Sequence, residues 1–283
     1  MMARFRHIMM SKTIVRCATL TWACCAWLST STPAHAATDT PPVYETGYSD
    51  VVEFTSDLYR ALAPEQQRLF HPFPVLLDKV KTPLAQPRVC SDGSSALPAV
   101  HVTAGFIELM NSLSHAKAID DVQKGFFKMY VDRLGLETGA ELPRSLLDIL
   151  QSQTLSLDTR NYQMSHFNQM VAASIAVEMA HQYLGHYAKY AGHLTDAQGQ
   201  PVPINRLVTP EEWHEAVLKG AHHALDCGLG VEGLQVIYES IDRMPKRPAW
   251  TIYFLPEKAN VSRIKRDLTK VEKDFFLKKP ARG

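Results

Sequence analysis

The chain has 283 residues, 46% hydrophobic and 21% charged, with 30 Lys plus Arg against 29 Asp plus Glu and a net charge of +1. This is too apolar for a disordered protein and too evenly charged for a basic nucleic-acid footprint, so neither class fits and no nucleic-acid partner is expected. The length is enough to bury a sizeable core in one domain.

Residues 1–36 carry Arg4, Arg6, Lys12 and Arg16 but no acid, and hold an apolar stretch from Ile14 to Leu28. At about 15 residues that stretch is short of the roughly 20 a membrane-spanning helix needs. Pro33 and then Ala34-His35-Ala36 supply the break and the small residues that a signal peptidase reads. The expectation is a secretory leader cut between Ala36 and Ala37, which places the mature chain in the periplasm or outside the cell. Loss of four positive charges turns the net +1 into −3. No later segment has transmembrane length. Three of the five cysteines leave with the leader, and only Cys90 and Cys227 stay. In an oxidising compartment a disulfide between them would close a long loop and stabilise the fold by about 4–5 kcal/mol in the chain-entropy model. Two buried free thiols are the alternative, and the sequence leaves both open.

The mature chain reads as one domain, 37–283, opening on a flexible stretch at 37–46. Val51, Val52, Phe54, Leu58 and Leu62 recur at helical spacing with Asp50 and Glu53 in the first turn, which predicts a helix over 48–62. Five prolines interrupt 71–98. Ala99–Thr103 then alternates like a strand after the turn-rich Ser91-Asp92-Gly93-Ser94, predicting a small antiparallel sheet built on a hairpin near 86–103. Helical periodicity returns over 106–113, 122–134 and 142–150. The longest helical signal, 162–190, is apolar around most of its circumference and predicts a central buried helix. A polar loop spans 192–207. Thr209-Pro210-Glu211-Glu212 then combines a cap, a first-position proline and first-turn acids, and starts another helix. Helices are predicted again at 234–241 and 260–277, with an aromatic strand-like stretch at Trp250–Phe254 between them. The fold class is α+β, mostly helical.

On the central helix Glu178 and His181 are three residues apart and share a face. The H-E-x-x-H motif of zinc peptidases sets two imidazoles one turn apart on the metal, with the Glu as base for a metal-bound water. Here the five residues are Val177-Glu178-Met179-Ala180-His181, so Val177 stands where the first ligand would be. A di-iron reading from Glu178-x-x-His181 and Glu211-x-x-His214 fails, because a further glutamate helix would have to fit into the polar loop between them. Gly228-Leu229-Gly230 follows a helix and is a helix stop rather than a cofactor turn.

Four places in the same order resemble the HtpX/BepA-like, CAAX-prenyl-protease type of gluzincin zinc metallopeptidases. Val102-Thr103-Ala104-Gly105-Phe106-Ile107 resembles the V-T-x-G-L-L strand-to-helix junction. Val177–His181 followed by Gly185-His186 resembles the extended H-E-x-x-H-x-x-x-x-H. His222-His223-Ala224-Leu225-Asp226 stands where the family has E-x-x-x-D, and Leu255-Pro256 with Arg263-Ile264 resembles its closing H-P and R-I. Val177, His222 and Leu255 each replace a family residue, and about 70 residues separate Gly105 from Glu178, which marks 115–160 as a helical insertion. The resemblance implies a zincin-like domain with Glu178 as general base, His181 as second metal ligand, His222 as third ligand and His223 as its substitute. Asp226 and His186 would support the ligands. On a continuous helix His186 would lie about 140° from His181 and aim poorly at the same ion. The implied cofactor is zinc in a weakened site, and the implied partner is a peptide or protein, cleaved or only bound. Peptide would lie along Ala99–Thr103, joining by strand addition if no metal is held. The same residues also read as a metal-free remnant in which Glu178 and His181 tie two helices together.

Overall fold

Helix α6 (Leu157–Tyr183) runs through the middle of the chain. The structure is a computed structural model describing residues 43–70, 75–78, 88–90, 99–136, 144–151, 156–199 and 202–278. The leader, its cleavage point and the Ser91–Ser94 turn lie outside the described residues. Residues 41–283 form one unit. Ser156 caps α6 by accepting the Thr159 amide at 3.1 Å, and Asp158 favours the positive end of the helix dipole. From Met170 to His181 every residue except Ser174 is buried. A helix buried all round needs neighbours on several sides, and small Ala172, Ala173, Ala176 and Ala180 let them approach.

Those neighbours are α1 (Val43–Ala61), α3 (Ala104–Val122), α9 (Pro210–Asp226) and α10 (Glu232–Arg243). α9 approaches closely through Gly220. A Cβ on Gly220 would stand 2.6 Å from the Val177 nitrogen and 2.7 Å from its Cα, inside contact distance of α6 backbone. Only glycine permits that spacing. Thr209 starts α9 as the sequence predicts, its Oγ1 accepting from the Glu212 amide at 3.2 Å while the Glu212 carboxylate accepts from the Thr209 amide at 2.8 Å. Helices α2 (Pro64–Gln67), α4 (Phe126–Leu134), α5 (Arg144–Gln151), α7 (His186–Lys189), α8 (Ile204–Leu207) and α11 (Val261–Lys278) complete the helical part. No described helix is long and apolar enough to cross a membrane.

Three strands, β1 (Val75–Asp78), β2 (Arg88–Cys90) and β3 (Ala99–Thr103), form a sheet in the order β1-β3-β2. β2 pairs antiparallel with β3, but β1 pairs parallel, so the sheet is mixed rather than antiparallel throughout. β3 runs directly into α3, and Thr103 Oγ1 accepts from the Phe106 amide at 3.2 Å. β3 is the central strand with both edges paired, so a peptide adding a strand would have to use β1 or β2 and not Ala99–Thr103.

Two further expectations change. The central helix stops at Tyr183, not Tyr190, because Gly185 adopts φ +77° and turns the chain before α7. The stretch at Trp250–Phe254 is a 3-10 helix, 249–253, rather than a strand. Its aromatics pack inward, with Trp250 and Phe254 buried, and the Trp213 indole donates to the Phe254 carbonyl at 3.2 Å. Tertiary contact overrides β-propensity in this segment. Cys227 is a free thiol in this structure, its Sγ donating to the Asp57 carbonyl of α1 at 3.7 Å. Burial pushes that thiol up to about 11, and nearby Asp57 and Asp226 act in the same direction.

Candidate functional site

Glu178 and His181 share one face of α6 and are 4% and 1% exposed. They line a recess of about 20 Å³ with Val177, Asn205 of α8, Ile237 and Tyr238 of α10, and Tyr253. That volume holds about one water molecule. The two polar side chains of α6 are bonded to residues that follow the helix. Tyr187 Oη donates to Glu178 Oε1. The break at Gly185 folds α7 back, so that His186 Nδ1 lies 2.8 Å from His181 Nδ1, where a straight helix would have carried it away. One of these nitrogens carries the proton and donates to the other. His181 Nε2 is buried with no hydrogen-bond partner among the described residues.

Burial, reinforced by His186, pushes the His181 imidazole down to about 3, with the Glu212 carboxylate opposing, so the ring is neutral at physiological pH. Burial also lowers His186, against Glu212 and Glu215. Glu212 anchors this corner. Its carboxylate accepts from Lys189 Nζ at 2.5 Å and from Tyr190 Oη at 2.9 Å, tying the end of α7 to the start of α9. Desolvation raises the Glu212 carboxyl, but hydrogen bonds from Lys189, Thr209 and Tyr190 outweigh it and hold the group at about 2.

The other sequence-selected residues lie elsewhere. His222 and Asp226 are exposed. On a helix His222 is about 200° around from Gly220, the residue that abuts α6, and therefore points to the solvent side of α9. Asp226, one turn on, follows it. His223 is buried against α1, where its Nε2 donates to the Leu58 carbonyl at 2.6 Å. It holds two helices together and is not exchanged with His222 by a small rotation. The structure thus brings Glu178, His181 and His186 together and leaves His222, His223 and Asp226 apart from them.

A catalytic zinc ordinarily takes three protein ligands. Among the described residues no group of three or more His, Cys, Asp or Glu is placed to hold a metal ion. Val177 has no lone pair, His222 faces away, and Glu178 already accepts from Tyr187. The residues present do not fit the zinc that the family resemblance implies.

Sequence reasoning missed three contributors. Tyr187 reaches Glu178 only because Gly185 breaks the helix. Glu212, a first-turn acid of α9 by sequence, also receives the end of α7. Asn205, in what reads as a loop, sits on α8 with its Nδ2 donating to the Tyr253 carbonyl at 2.9 Å and its Oδ1 buried without a partner among the described residues. The positive-φ glycine was the one legible signal among these. Comparison with family models, with curated proteins and with solved structures gave no match.

Proposed function

We propose that the chain is an exported relative of the zinc metallopeptidases, zincin-like in its frame, that has given up hydrolysis and binds extended peptide without metal. The reading rests on the resemblance to the family's motifs at four places in the same order, and on the step from β3 into α3 where its strand-to-helix junction would stand. One observation supports binding over hydrolysis. Gly220 packs on Val177, so position 177 lies in the α6–α9 contact while position 222 is exposed on the far face of α9. Glu178 and His181 then act as buried hydrogen-bonding groups that fix the turn into α7.

The test is metal content and turnover of the purified mature chain, together with binding of a labelled peptide. The proposal expects no stoichiometric zinc, no hydrolysis and saturable peptide binding. Stoichiometric zinc with hydrolysis abolished by Glu178→Ala would return the chain to the enzymes and overturn it.

A further inference from the structure

Helix α11 docks on the core through Val261, Ile264 and Leu268, which are buried, and through Val271 and Phe275, which pack against it. Phe276 and Leu277 stand outside that face, 62% and 72% exposed, with the Phe276 ring edge-on to Phe275 at 5.6 Å. The other exposed positions of the helix are Arg263, Arg266, Lys270, Lys273 and Lys278 with the hydroxyls of Ser262 and Thr269, and none is an acid. Its three acids are only partly exposed, and Asp267 turns inward to His214 of α9 at 3.1 Å, drawing Arg263 and Arg266 beside it. Lys270, Lys273 and Lys278 make no ion pair among the described residues. The helix thus carries six cations against three acids in a chain whose net charge is −3 without its leader, and 279–283 add Lys279 and Arg282 with no acid.

Two large apolar side chains in water and a set of unpaired cations at the same end of one helix call for an apolar layer with anions above it. A bilayer of anionic lipids has that order: acyl chains, then phosphates within about 5–10 Å, where the long stems of lysines beside the inserted residues can reach them. Nucleic acid would supply the phosphates but no apolar layer for Leu277. A protein partner fits less well, because a stable interface takes about 20–30 residues a side and the exposed face of α11 offers nine. We infer that the C-terminal end of α11 docks on an anionic lipid surface, with Phe276 and Leu277 entering the headgroup region and Lys270, Lys273 and Lys278 on the lipid phosphates.

The experiment is co-sedimentation of the mature chain with vesicles of phosphatidylcholine alone, and of phosphatidylcholine with about one third phosphatidylglycerol, at about 0.1 M salt. The anionic vesicles are expected to bind at least tenfold more tightly, from roughly fivefold per cation near the surface. Lys270→Ala/Lys273→Ala should lose at least tenfold of that affinity, and Phe276→Ser/Leu277→Ser a similar amount. All four residues are exposed, so far-UV circular dichroism of both variants should match wild type. Equal binding to the two kinds of vesicle, or binding to neither, would overturn the proposal. Anionic-vesicle binding that both variants retain would place the contact elsewhere on the chain and overturn it as well. Loss in one variant but not the other would overturn the joint use of apolar and cationic groups. Self-association in sedimentation velocity without vesicles, lost in Phe276→Ser/Leu277→Ser, would assign this end of the helix to a second copy of the chain instead.

Discussion

Acidification is a direct probe of the buried histidine pair. An unfolded chain takes up a proton on His181 near the ordinary value of 6.5, whereas the folded chain refuses it down to about 3, because burial and His186 disfavour the cation. The unfolded state therefore binds more protons throughout that window, and stability falls as pH drops below 6.5. At pH 5, some 1.5 units below the unfolded value, the loss from this one ring is about 2 kcal/mol. That is a large share of the roughly 5–15 kcal/mol that holds a domain together. His186 and His223, both lowered chiefly by burial, add to it in the same direction. The assay is urea unfolding followed by tryptophan fluorescence at pH 7.5 and pH 5.0, for wild type and for His181→Gln. Carboxylates titrate alike in both proteins, so the difference between the two pH dependences isolates His181. Wild type should lose about 2 kcal/mol more than the variant over this interval. Identical pH dependence would refute a neutral, buried His181 and the recess built around it.

Gly220→Ala should destabilise by about 1–3 kcal/mol in urea unfolding despite the better helix propensity of alanine, because the new methyl meets α6 backbone that cannot move aside. Tyr187→Phe removes the phenolic donor to a buried carboxylate and should cost about 1–3 kcal/mol by the same measurement, with the fold retained by far-UV circular dichroism. His222→Ala and Asp226→Ala, on the solvent face of α9, should each stay within about 0.5 kcal/mol of wild type; a loss of several kcal/mol from either would place it in a buried site after all.

The sequence made the scaffold more legible than the site, and particular residues show why. The cap at Thr209, the strand into α3 and the buried centre of α6 are written in local chemistry: a hydroxyl three residues from an amide, an alternating strand, an apolar circumference. Where a helix ends is also local, but Gly185 announces only a turn, not that the turn will carry His186 and Tyr187 back onto His181 and Glu178. The side of α9 on which His222 falls was harder to read. Motif order assigned it to the metal, whereas the face of a helix is chosen by packing, here by Gly220 against Val177. Asn205 carries no pattern at all, and its role comes from the 3-10 helix about fifty residues later that receives its amide. Trp250–Phe254 has strand composition and becomes 3-10 helix because its rings are needed in the core beside Trp213 and Phe106.

The claim on which the rest depends is that positions 177 and 222 do not converge. It is tested most directly by restoring both family ligands in Val177→His/His222→Glu and titrating zinc into the folded variant by calorimetry. The account predicts no binding beyond that of wild type, since the residue at 222 still points to solvent. One zinc per chain at sub-micromolar Kd, lost again on His181→Ala, would contradict it.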